Sequence, residues 1–184
     1  GKSVFARGFI RALAQGAEDF DIPSPTFTLA QIYDDTRVPA VHADLYRLNA
    51  PGEAEELGLD DLLRTHIVLI EWPERLGSRE FENSLTVIIG GSGGDRSVEL
   101  KAEGAWTAIL ERNLQIAGFL KKPPWHDSER RFLEGDASFR RYETLLGGSA
   151  PRAILMDMQA RPDGPIVRDG KPYSAIAHLA EDIR

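Results

Sequence analysis

His66-Ile67-Val68-Leu69-Ile70-Glu71-Trp72-Pro73 is the stretch that decides the fold. A short apolar run without alternation predicts a strand buried on both faces, as in a parallel sheet. The run meets a carboxylate, an aromatic ring and a proline in immediate succession. In open α/β sheets chemistry gathers just beyond the carboxyl ends of the strands. Glu71 therefore stands where a metal ion or a phosphate would be handled. The plain alternative is a solvated acid in a strand-to-helix loop, so the sharper reading needs a phosphate cradle elsewhere in the chain.

Upstream, Val38 to Leu48 is apolar at first and then alternates, with Asp44 near the end of a predicted strand. An acid there can order an attacking or metal-bound water. His42 reads more readily as a satisfied structural histidine than as a ligand. Further back, Pro23 and Pro25 stiffen the entry to Thr26 and to Phe27-Thr28-Leu29-Ala30-Gln31-Ile32-Tyr33, whose alternation predicts a strand. The Thr26 and Thr28 hydroxyls are placed to sense a terminal phosphate, or are ordinary strand residues. The chain opens Gly1-Lys2-Ser3 before Phe5, Phe9 and Leu13 at helical spacing, with Gly16 as a stop. Gly-Lys-Ser at a helix start is the second half of a phosphate-binding loop. The free N–H groups and positive dipole end of such a helix attract an anion. As a tripeptide it is a common chance match.

Downstream, Glu53-Ala54-Glu55-Glu56 suits a helix start, with Leu57, Leu59, Leu62 and Leu63 as core and the acids as a solvated face. Arg75 and Arg79 read as surface. Leu85–Ile89 and Ser97–Lys101 flank a Gly-rich turn, a hairpin signal, and Ala105–Leu120 is predicted helical. Lys121–Asp127, with Pro123-Pro124, breaks the pattern and reads as a linker between modules 1–120 and 128–184. Beyond it, Arg131–Glu134, Arg140–Leu146 and Ala153–Met158 predict three strands, and Tyr173–Asp182 a helix.

Bulk composition narrows the classes. The 184 residues suit one or two domains. A net charge of -7 argues against a general nucleic-acid binder. The charge is uneven, with 11 Lys/Arg against 19 Asp/Glu over residues 1–118 and 11 against 10 thereafter. With no cysteine the chain has no disulfide or thiolate metal site, which accords with a reducing, cytoplasmic setting. No apolar run approaches the ~20 residues of a membrane span.

Four segments coincide in order: Gly1-Lys2-Ser3, Ser24-Pro25-Thr26-Phe27-Thr28-Leu29, His42-Ala43-Asp44-Leu45-Tyr46-Arg47-Leu48 and Ile70-Glu71-Trp72-Pro73-Glu74-Arg75. Together they resemble the bacterial TsaE (YjeE) family of P-loop ATPases serving tRNA threonylcarbamoyladenosine synthesis, over about residues 1–112. The resemblance implies an α/β fold with a mostly parallel P-loop sheet and flanking helices. It implies ATP and Mg²⁺ as cofactors and TsaD and TsaB as partners. Gly1, Lys2 and Ser3 match the phosphate loop, with Ser3 also a Mg²⁺ ligand. Thr26 and Thr28 match a nucleotide-sensing segment. Asp44 matches an aspartate needed for hydrolysis, Glu71 a metal-coordinating carboxylate, and Trp72 a residue near the nucleotide. A complete member has a strand and a loop with further glycines before the position of Gly1, so the resemblance implies a chain clipped inside the nucleotide site, one expected to bind ATP poorly by itself.

Residues 128–184 resemble the start of the N-lobe of aminoglycoside-phosphotransferase-like sugar kinases, through Glu134–Tyr142 and Ile154-Leu155-Met156-Asp157. Such kinases usually place a lysine on the third strand, where this chain has Met156 and Asp157. The leading expectation is an ATPase accessory factor fused to a kinase module. The alternative is phosphotransfer to an amino sugar through the C-terminal module. A GTPase would normally carry an Asn-Lys-x-Asp segment, and none occurs. A non-catalytic interaction module is the remaining class.

Overall fold

The computed structural model describes residues 1–15, 21–91, 94–135, 140–147, 149, 151–158 and 166–172. It divides into two compact units, Gly1–Arg112 and Asn113–Arg184.

The first unit opens with helix α1 (Lys2–Leu13), which buries Ala6, Ile10 and Leu13. Phe5 is 41% exposed, so the helix is turned relative to the Phe5–Phe9–Leu13 stripe. Gly16, expected as its stop, lies outside the described residues. A three-stranded sheet follows in the order β1 (Ala30–Tyr33), β2 (Ala40–Asp44), β3 (Ile67–Glu71). β1 and β2 are antiparallel and β2 and β3 parallel. The connections explain both: a short turn over residues 34–39 returns the chain antiparallel, whereas parallel neighbours need a longer crossover. That crossover holds a 3₁₀ segment, Pro51–Leu57, and a single helical turn, α2 (Leu59–Leu62).

The expected mostly parallel sheet is thus mixed, with β2–β3 as the one parallel pairing among the described strands. The most deeply buried strand is also not the one expected. Every residue of β2 is buried, whereas Ile67–Ile70 of β3 are only half-buried. Among the described strands β2 has neighbours on both sides and β3 on one. The strand predicted from Phe27 begins only at Ala30, because Leu29 takes a left-handed φ of 62° that breaks extended geometry.

Two apolar clusters cover the sheet. Ala43, Leu45, Leu48, Ala54, Leu59 and Leu76 form one, with Val68 and Ile70 against it. Ile10, Ile22 and Tyr33 form the other, with Leu69. Leu45 and Leu59 are essentially inaccessible, each worth about 1.5–3 kcal/mol of burial. Leu63, expected in the core, is 39% exposed. The hairpin β4 (Ser84–Gly90) and β5 (Ser97–Glu103) pairs Leu85, Val87 and Ile89 with Ala102, Leu100 and Val98 on one face. Gly104 follows at φ 58°, with its carbonyl accepting the Thr107 N–H as α3 (Ala105–Leu120) starts. The division between the two units falls within α3.

The second unit contains an antiparallel meander of β6 (Glu129–Leu133), β7 (Arg141–Leu146) and β8 (Ala153–Asp157), in the expected order. A small pair, β9 (Ile166–Arg168) and β10 (Lys171–Pro172), ends the described chain. The helix predicted near Tyr173–Asp182 lies outside the described residues. Among the described residues no helix is long and apolar enough to cross a membrane.

Candidate functional site

Register decides which side chains meet. In the parallel pair, His42 is opposite Leu69 and Asp44 is opposite Glu71. Strand side chains alternate between faces. His42, Asp44 and Glu71 therefore share the face on which Leu69 packs with Ile10 of α1, while Ala43, Val68 and Ile70 face the leucine cluster. Both acids end their strands side by side.

Glu71 is buried, and each of its oxygens has a partner. Ser3 Oγ donates to Oε2 at 3.0 Å, and His42 Nε2 lies 2.8 Å from Oε1. An ionised carboxylate can only accept, so in that state Nε2 carries the proton. His42 is 0% exposed, and its Nδ1 has no hydrogen-bond partner among the described residues. Leaving a buried polar atom unpaired costs about 1–3 kcal/mol. A fully satisfied core histidine, which the sequence favoured, would have both nitrogens bonded; His42 has one.

Asp44 is buried as well. Thr26 Oγ1 donates to its Oδ2 at 3.2 Å, and the Tyr46 amide donates to Oδ1 at 3.2 Å. Ser24 Oγ lies 2.8 Å from the same Thr26 hydroxyl. The turn at Leu29 lays this segment on the strand end, and the Leu29 carbonyl accepts the Asp44 N–H at 2.9 Å. Thr28, by contrast, is exposed.

The Lys2 ammonium sits 3.1 Å from the centroid of the Trp72 ring, a cation–π contact, and the Tyr46 ring lies 5.0 Å from that of Trp72. Trp72 has φ 62°, a left-handed conformation that costs a non-glycine residue about 1–2 kcal/mol. Gly1 caps α1 with no side-chain hydrogen bond, and the first turn holds no acid. The start of α1 is therefore chemically open to an anion.

Lys2, Ser3, Asp44 and Glu71 come together from three separated segments, with Thr26 and Trp72 touching them and Gly1 at the helix start; Thr28 stands apart. The residue the sequence undervalued is His42. Its spacing from Asp44, two positions along one strand, places both on one face, and that spacing was the available signal.

Ser3 Oγ and Glu71 Oε2 are hard oxygen donors, which suits Mg²⁺. That ion takes few protein ligands and keeps water and phosphate oxygens. Among the described residues no three His, Asp or Glu side chains could hold a metal together. The donor set fits a cation delivered with a phosphate-bearing ligand better than an all-protein cage.

A family model described as threonylcarbamoyl adenosine biosynthesis protein TsaE matches residues 1–98. Similar proteins carry the name tRNA threonylcarbamoyladenosine biosynthesis protein TsaE. The one from Rickettsia felis is 42% identical over 74 residues, covering 40% of this chain and 42% of that protein. The one from Rickettsia bellii is 43% identical over 74 residues, covering 40% and 50%. The one from Bacillus subtilis is 33% identical over 106 residues, covering 56% and 64%. The chain thus spans less than two thirds of the length of each of these relatives.

Proposed function

The chain belongs to the TsaE family, with over half its length inside the family's match, and on that premise we propose that it binds and hydrolyses ATP as an accessory factor in forming threonylcarbamoyladenosine on tRNA. The reading is supported above all by the Ser3 hydroxyl resting on Glu71, beside Asp44 and at the open start of α1. The N–H groups of α1 and the Lys2 ammonium bind the phosphates. Lys2 leaves the Trp72 ring to do so. Ser3 and Glu71 would hold Mg²⁺, which when bound would supply positive charge to neutralise the phosphates. Asp44, fixed by Thr26 and the Tyr46 amide, would orient the water that attacks the γ-phosphorus as its bond to the bridging oxygen breaks and ADP leaves. Phosphoryl transfer asks mainly for positioning and charge neutralisation, which these groups supply. The partners proposed are TsaD and TsaB. The test is phosphate release from ATP by the full-length protein, with and without Mg²⁺ and those partners. No Mg²⁺-dependent turnover in either setting would overturn the proposal.

A second reading concerns the C-terminal unit. The antiparallel order β6–β7–β8 is the one expected of a kinase-like N-lobe, and the amino-sugar substrate proposed for it rests on the sequence resemblance alone. ATP consumption that rises on adding amino sugar would support it; indifference to sugar would remove it.

A further inference from the structure

His42 has no role in the hydrolysis just proposed, yet it lies at the centre of the site. Its ring is fully inaccessible in the most deeply buried strand. Its Nε2 is 2.8 Å from Glu71 Oε1, and Glu71 Oε2 accepts the Ser3 hydroxyl at 3.0 Å. One carboxylate therefore joins an imidazole on β2 to a hydroxyl on α1. A glutamate has three rotatable bonds, and holding Oε1 narrows the positions open to Oε2, which here faces Ser3. A serine that gives its proton to Oε2 keeps its lone pairs for a cation.

We infer that His42 is a positioning residue: its Nε2–H holds the Glu71 carboxylate, and through it the Ser3 hydroxyl, in the orientation that receives a phosphate-bound divalent cation. The inference rests on the nucleotide reading above. Outer hydrogen-bond partners of this kind orient metal ligands and tune their affinity. Packing alone does not account for the residue. An aliphatic side chain would fill the same interior without an unpaired nitrogen, and Nδ1 is unpaired among the described residues. The unpaired atom is tolerated where the other nitrogen has a task.

Two isosteres separate the nitrogens. His42→Gln places an amide N–H near the position of Nε2, and His42→Asn places one near Nδ1. Mn²⁺ affinity is read by electron paramagnetic resonance on the full-length protein with ADP. His42→Asn is expected to weaken Mn²⁺ binding about 10–100-fold, with His42→Gln recovering most of the loss. Equal, wild-type affinity in both variants would overturn the inference. Nitrogen-15 NMR of the wild-type imidazole, without metal or nucleotide, should show the proton on Nε2. A proton on Nδ1 alone would overturn the inference even if neither variant folds. Should the wild type take up no Mn²⁺ with ADP, the nucleotide reading fails. The NMR result then still decides whether His42 donates to Glu71.

Discussion

The α1-facing side of β2–β3 and the meander β6–β7–β8 both take charge out of water, and they do so in opposite ways. In the first, hydrogen bonds join residues 68, 29 and 18 positions apart, and a buried nitrogen stays unpaired. In the second, Arg130 and Glu143 on neighbouring strands form a two-pronged pair, with Nη2 to Oε1 at 2.8 Å. The hydrogen bonds to Glu143 hold the Arg130 guanidinium above its ordinary value, outweighing desolvation. Local neutralisation of that kind is what a structural ion pair looks like. Polar groups gathered from distant segments at a cost in stability point instead to a ligand.

The largest effect should come from the first region. Lys2→Ala or Glu71→Ala is expected to lower ATP turnover by at least about 100-fold in the full-length protein, read as steady-state phosphate release. Glu143→Gln should leave turnover unchanged. Equal losses from both regions would erase the distinction. Next, Leu45→Ala should cost about 2–5 kcal/mol in denaturant unfolding, because the side chain is fully buried. Met156→Ala in the meander, 38% exposed, should cost under about 1 kcal/mol by the same measurement.

Glu143→Ala strips Arg130 of its paired carboxylate in a half-buried setting, leaving the Asn113 side chain as an acceptor at 3.4 Å, and should cost about 1–2 kcal/mol. The smallest effect concerns pH. Burial, with Asp21 adding to it, raises the Tyr33 phenol above its ordinary 10.0. The unfolded tyrosine therefore ionises first as pH climbs. Stability should be whole below pH 10 and decline above it until the folded phenol also ionises. Tyr33→Phe should flatten that decline in thermal melts taken across the range.

Local chemistry was legible in the sequence; neighbourhood was not. The Leu85–Ile89 and Ser97–Lys101 hairpin, α3 and the three C-terminal strands follow from period and turn residues alone. The apolar run at Ile67–Ile70 looked like the interior of the sheet, yet β2, with a histidine and an aspartate in it, is more deeply buried. Position in the sheet decides burial, and composition does not report position. The same limit governed the site. Lys2, Ser3, Asp44 and Glu71 could be named as residue types beside helix and strand ends. That Thr26 rather than Thr28 reaches Asp44 depends on the backbone turn at Leu29, where a leucine gives no sign of a left-handed conformation.

Trp72 carries one more consequence. Its backbone angle suits glycine, while its ring hosts the Lys2 ammonium. Substitutions there are filtered twice, by main chain and by aromatic surface. Glycine relaxes the first and forfeits the second; valine or isoleucine fails both. The position is thus a narrow gate for mutation, and a library screened for stability alone should drift toward variants that fold more readily and leave the lysine without its perch.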